Sequence, residues 1–107
     1  MNYAIEITET AKSDLRKIVQ YIVEESKNPG IALRFINELR QTCEKLKDFP
    51  NSGANPKDRI LLSLGYKYLI HKNYLIFYSV NQEEKKIYIN AFFNGKTDYV
   101  KVLKNRI

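Results

Sequence analysis

Residues 65–80 read GYKYLIHKNYLIFYSV. Two aromatic and aliphatic runs, residues 66–71 and 74–80, flank Lys72-Asn73, and β-rich runs around so short a connection predict an antiparallel hairpin. The stretch holds four of the eight tyrosines and the single histidine, His71. Along the second run Tyr74, Ile76, Tyr78 and Val80 share one face, with Leu75, Phe77 and Ser79 on the other, because strand side chains alternate. A third run, residues 86–93, follows the looser connection NQEEK. It splits into Ile87, Ile89, Ala91 and Phe93 against Tyr88, Asn90 and Phe92.

Upstream of this sheet the period changes. NYAIEI alternates Tyr3, Ile5 and Ile7 against Asn2, Ala4 and Glu6, the pattern of a half-buried strand. Ala11, Leu15, Ile18 and Ile22 then recur at spacings of four, three and four, which keeps one stripe of a helix on a core; Thr8 or Thr10 can cap it. Asn28 caps a second helix with Pro29 at its first position, where the missing amide hydrogen costs nothing. Its apolar face is Ala32, Phe35, Ile36, Leu39, Cys43 and Leu46. Cys43 falls on that stripe and reads as a small buried hydrophobe. Two such helices joined by SKNPG predict an antiparallel helical hairpin, and DFPNSG ends it.

ANPKDRILLSLG reads as loop with one irregular turn. The tail KTDYVKVLKNRI can form a short basic helix capped by Thr97, with Tyr99, Val100 and Leu103 as apolar contacts. The expected fold is therefore α+β, one domain over residues 1–107, in the order β-α-α-β-β-β with that short C-terminal helix. The hairpin covers one face of a mostly antiparallel sheet. The other face is left for solvent or a binding surface.

The net charge of +6 is unevenly placed. Residues 1–58 carry nine Lys/Arg against nine Asp/Glu, whereas residues 59–107 carry nine against three. An acidic partner fits this asymmetry, whether nucleic acid, ribosome or acidic protein, and so does simple solubility. No run approaches the length of about 20 apolar residues that crosses a bilayer. The first residues lack the basic and apolar regions of a signal peptide, and one cysteine makes no intrachain disulfide. The expectation is a cytoplasmic protein without a membrane partner.

One histidine and one cysteine do not make a zinc site, and four glycines leave no phosphate-cradling loop of Walker or Rossmann type. Neither a metal nor a cofactor is expected. Tyrosines interleaved with lysines in the sheet suit single-stranded RNA, by stacking and phosphate contact. They suit a pleated surface equally well.

AKSDLRKIVQYI, ALRFINEL, LKDFPNSG and YLIFYSV, in this order and spacing, resemble the RelE/ParE superfamily of type II toxin–antitoxin toxins. The resemblance spans nearly the whole chain, and its most specific parts are FPxSG after the second helix and YxIxYxV in the sheet. It implies a small toxin neutralised by a cognate antitoxin, acting either on DNA gyrase, as ParE-like members do, or on mRNA at the ribosome, as RelE-like nucleases do. Sheet arginines and lysines, with a tyrosine or histidine near the C-terminus, serve the RelE-like nucleases that the chain resembles. Here Lys67 stands where an arginine is common, Asn94 where a histidine is, and Lys96 where another arginine is. Lysine keeps the charge but loses the bidentate fork. A nuclease would be left with Lys67, His71, Lys96 and Tyr99. Surfaces facing RNA or antitoxin would draw on Tyr74, Tyr78, Asn94, Lys101, Lys104 and Arg106. The missing arginines and the long hairpin favour the ParE-like branch. The alternatives are the RelE-like nuclease and a degenerate, non-toxic binding module.

Overall fold

Each helix begins where a side chain takes up an orphan amide of the first turn. In the computed structural model, which describes residues 3–106, Thr8 accepts from the Ala11 amide at the start of α1 (Glu9–Ser26). Asn28 accepts from Gly30 at the start of α2 (Pro29–Glu44), with Pro29 at its first position as expected. Between these helices Lys27, at φ 55°, closes α1 by donating its amide to the Val23 carbonyl. A 3-10 turn, Lys45–Lys47, carries the end of α2 onward.

The sheet is built from β1 (Ala4–Ile7), β2 (Lys67–His71), β3 (Tyr74–Asn81) and β4 (Lys86–Asn94), in the order β1-β4-β3-β2. β1 runs parallel to β4, and the other pairs are antiparallel. Lys72-Asn73 makes the tight turn, with Lys72 at φ 54°. The alternation read for the first strand begins at Asn2, which lies outside the described residues.

α1 and α2 lay their apolar stripes on one face of this sheet. Ala11, Ile18, Phe35, Leu39, Cys43 and Leu46 meet Ile76, Tyr78, Ile87, Ile89 and Phe92 in the larger core. Burying such side chains contributes about 1.5–3 kcal/mol each. The α+β class and the element order are those expected.

The second face differs from the expectation. It is not left open to solvent or a partner but is covered from within the chain. ANPKDRILLSLG contains α3 (Arg59–Ser63), capped by Asp58 accepting from the Leu61 amide. α4 (Tyr99–Asn105) follows β4, and its cap is Asp98, which accepts from Lys101, rather than Thr97. Together they place Leu61 and Leu103 over Phe77, Ala91 and Phe93, forming a second, smaller core. The physical reason is simple: Phe77 and Phe93 on the far face need cover, and two short helices supply it.

β4 also breaks the expected alternation. Tyr78 pairs with Ile89 and Phe77 with Ala91, so Asn90 is an extra residue, a bulge. Beyond it the faces exchange. Phe92 turns to the hairpin core, while Ala91 and Phe93 turn to the second core. The four-residue set Ile87, Ile89, Ala91 and Phe93 therefore splits after Ile89.

Candidate functional site

The residues singled out as a nuclease set are scattered over the sheet. Lys67 and His71 share one face of β2 but stand about 13 Å apart along the strand. Lys67 donates to Asn55 Oδ1 at 2.8 Å. His71 is held against α2: its Nε2 lies 3.0 Å from Glu38 Oε1, its Nδ1 3.5 Å from Thr42 Oγ1, and its ring packs on Phe35. Glu38 also pairs with Lys72 at 3.0 Å. Its carboxyl is held below the usual range, first by the His71 hydrogen bond and then by Lys72. Tyr99 sits on the opposite side of the sheet, its ring 5.0 Å from that of Phe77, where it anchors α4.

Two residues expected to face a partner point elsewhere. Tyr78 is fully buried under the hairpin, and its hydroxyl accepts from the Gly53 amide at 2.9 Å. A Cβ on Gly53 would stand 2.6 Å from that hydroxyl, so FPNSG and YLIFYSV are two halves of one contact. Arg106 is a clamp. Its guanidinium donates twice to the buried Asp14, at 2.8 and 3.1 Å, and once to the Asn90 carbonyl at 3.2 Å. It also lies over the Phe93 ring. Lys104 pairs with Asp58 at 3.2 Å, joining α4 to α3. Lys101 stays exposed.

Tyr74, Asn94 and Lys96 do come together. They line a cleft of about 500 Å³ at the end of the sheet, with Tyr21 of α1, Ile70, Leu75, Gly95 and the turn residues Lys72 and Asn73. The Gly95 amide donates to the Asn73 carbonyl at 2.6 Å, tying the β2–β3 turn to the β4–α4 turn. A Cβ at Gly95 would come within 3.2 Å of that carbonyl oxygen, so glycine lets the two turns close. A smaller hollow adjoins, with Lys17, Tyr21, Tyr74 and Asn94 in its wall. The Tyr74 hydroxyl is pushed up by burial and by nearby Tyr21, against a hydrogen bond from Asn94.

Sequence reasoning missed Tyr21, Lys17 and the role of the turn. Lys17 and Tyr21 are one helical turn apart, beside rather than on the apolar stripe, and an exposed aromatic there is the signal that was available. The cleft offers cations, amides and rings. His71, the single histidine, is turned into the α2 contact instead. Among the described residues no group of three or more His, Cys, Asp or Glu could hold a metal, and no helix is long and apolar enough to cross a membrane. Burial pushes the Cys43 thiol up to about 12, in keeping with a packing role.

Several solved structures share this architecture. The chromosomal ParDE toxin–antitoxin system from P. aeruginosa matches with a TM-score of 0.69 at 20% identity, covering 86% of this chain and 95% of that one. The RelBE2 toxin–antitoxin complex from Mycobacterium tuberculosis matches at 0.62 and 20% identity, over 88% and 99%. The isolated E. coli RelE toxin matches at 0.59 and 12% identity, over 98% and 99%. No curated protein matches the sequence. The fold is thus that of the RelE/ParE toxin superfamily. Residues 5–99 match the family described as ParE toxin of type II toxin-antitoxin system, parDE, and the chain belongs to that family.

Proposed function

We propose that this toxin acts in the ParE manner, inhibiting DNA gyrase in the cytoplasm, and that a cognate antitoxin neutralises it. The observation that carries the reading is the dispersal of the nuclease set. Cleavage by 2′-hydroxyl attack needs a base, cations for the phosphorane and an acid around one phosphate. Here His71 is bonded to Glu38 and Thr42 on the hairpin face, while Tyr99 packs on Phe77 on the other. An antitoxin partner is supported by the likeness to the ParDE and RelBE2 systems, and the cationic second half of the chain suits an acidic segment.

Induced expression should arrest growth, and co-expression of the neighbouring antitoxin should relieve it. Purified protein should inhibit supercoiling by gyrase, leaving relaxed or cleaved plasmid. His71→Ala and Tyr99→Phe should keep that inhibition. Codon-phased cuts in cellular mRNA, mapped by primer extension and lost in His71→Ala, would overturn the reading in favour of the nuclease. Absence of both growth arrest and antitoxin binding would mark a degenerate binding module.

A further inference from the structure

We infer that the cleft between Tyr21, Tyr74, Lys72 and Lys96 binds the sugar–phosphate backbone of single-stranded nucleic acid. This goes beyond the gyrase reading and does not depend on it. Lys72 and Lys96 sit on two different turns, and the 2.6 Å bond from the Gly95 amide to the Asn73 carbonyl holds those turns together. Lys17 extends the cationic line into the adjoining hollow, which shares Tyr21, Tyr74 and Asn94 with the cleft. Among the described residues no carboxylate pairs with Lys17 or Lys96. Lys72 is ion-paired with Glu38 at 3.0 Å and lies over the Phe35 ring, so Lys17 and Lys96 are the cations that meet phosphate.

The ring of Tyr21 is the second element. It is 57% exposed, and Lys17 stands one helical turn before it on the same side of α1. A ring held between cations is what an unpaired base needs: its face stacks while the flanking phosphates meet the ammonium groups. Side-chain amides of Asn73 and Asn94 add donors and acceptors on the cleft wall. An acidic peptide fits less well. Acidic motifs are read by arginine clusters and other peptides through apolar anchors; none of the nine residues lining the cleft is an arginine, and only Ile70 and Leu75 are aliphatic. A duplex fits less well too, because its bases have no free face for Tyr21.

Fluorescence anisotropy with a labelled oligo(dT) of about 12 nucleotides tests this on the purified chain. Binding should weaken as salt rises, with a log–log slope that falls by about 0.7 for each phosphate contact removed. Lys96→Ala should weaken binding several-fold and lower that slope. Tyr21→Ala should weaken it about tenfold or more with the slope unchanged. Lys45→Ala, an equal loss of charge on a 3-10 turn outside the cleft, should change affinity little. Circular dichroism of each variant checks that the fold is kept. Equal loss in Lys45→Ala, no loss in Lys96→Ala and Tyr21→Ala, or tighter binding of poly-glutamate than of oligo(dT) would overturn the inference. A chain that inhibits gyrase yet binds no oligo(dT) would overturn it alone and leave the gyrase reading standing.

Discussion

Gly53 is the residue on which two parts of the family signature meet. Its amide donates to Tyr78 Oη, and a methyl group there would also stand 2.8 Å from the Tyr68 carbonyl oxygen. Gly53→Ala should therefore cost about 1–3 kcal/mol, the usual range for overpacking a closed site, read as a shift of the urea midpoint. Tyr78→Phe leaves the amide unpaired and should cost about 1–2 kcal/mol, with the double variant less costly than the sum. Cys43 offers a second check at this scale. Its thiol is buried and pushed up to about 12, so iodoacetamide at pH 8 should label the native chain only as fast as it opens. Alternation grouped Tyr78 with Ile76 correctly. What the sequence left open was which face each group would take, because that depends on helices far away in the chain.

At the scale of elements, the bulge at Asn90 explains more than its own strand. An extra residue leaves backbone groups without a ladder partner. Asp14 of α1 accepts from the Phe92 amide, and Arg106 at the end of α4 donates to the Asn90 carbonyl while gripping Asp14. One irregularity thereby joins a helix from each face of the sheet. Arg106→Leu strands a buried carboxylate and should cost about 2–3 kcal/mol. Hydrogen exchange should then quicken in α4 before it quickens in β3. Both helices of the hairpin and the β2–β3 turn were legible, since period and caps agree over long segments. The bulge was not, because Lys86–Asn94 alternates smoothly on paper and only the partner strand reveals the surplus residue. α3 was hidden for a related reason: five residues are too few to show a helical period.

For the whole molecule, acid stability follows from two carboxylates that bridge elements. Glu38 ties α2 to the β2–β3 turn, and its carboxyl is lowered first by the His71 hydrogen bond. Asp58 ties α3 to α4 and is lowered first by the Leu61 amide. A native state with lowered carboxyl values binds fewer protons than the unfolded chain. Its stabilisation is complete above the ordinary carboxylate range and is lost as pH falls through the native values. Urea midpoints should be flat near neutrality and drop below about pH 5. Asp58→Asn should flatten part of that drop, and an unchanged slope would exclude Asp58 from it. The cleft was half legible at this scale. Tyr74, Asn94 and Lys96 were marked from the strand and tail, whereas Tyr21 and Lys17 belong to a helix that only folding brings beside them.

The parallel pairing of β1 with β4 sets a clock on this protein. Ala4 finds its partner at Lys86, 82 residues further on. At ribosomal rates of about 5–20 residues per second, that distance takes roughly 4–16 s to synthesise. Until then Ile5 and Ile7 have no strand to pair with, and neither core can close over β4. A chain built this way holds its sheet open for most of its own translation, and β1, the first strand made, is the one whose native pairing waits longest.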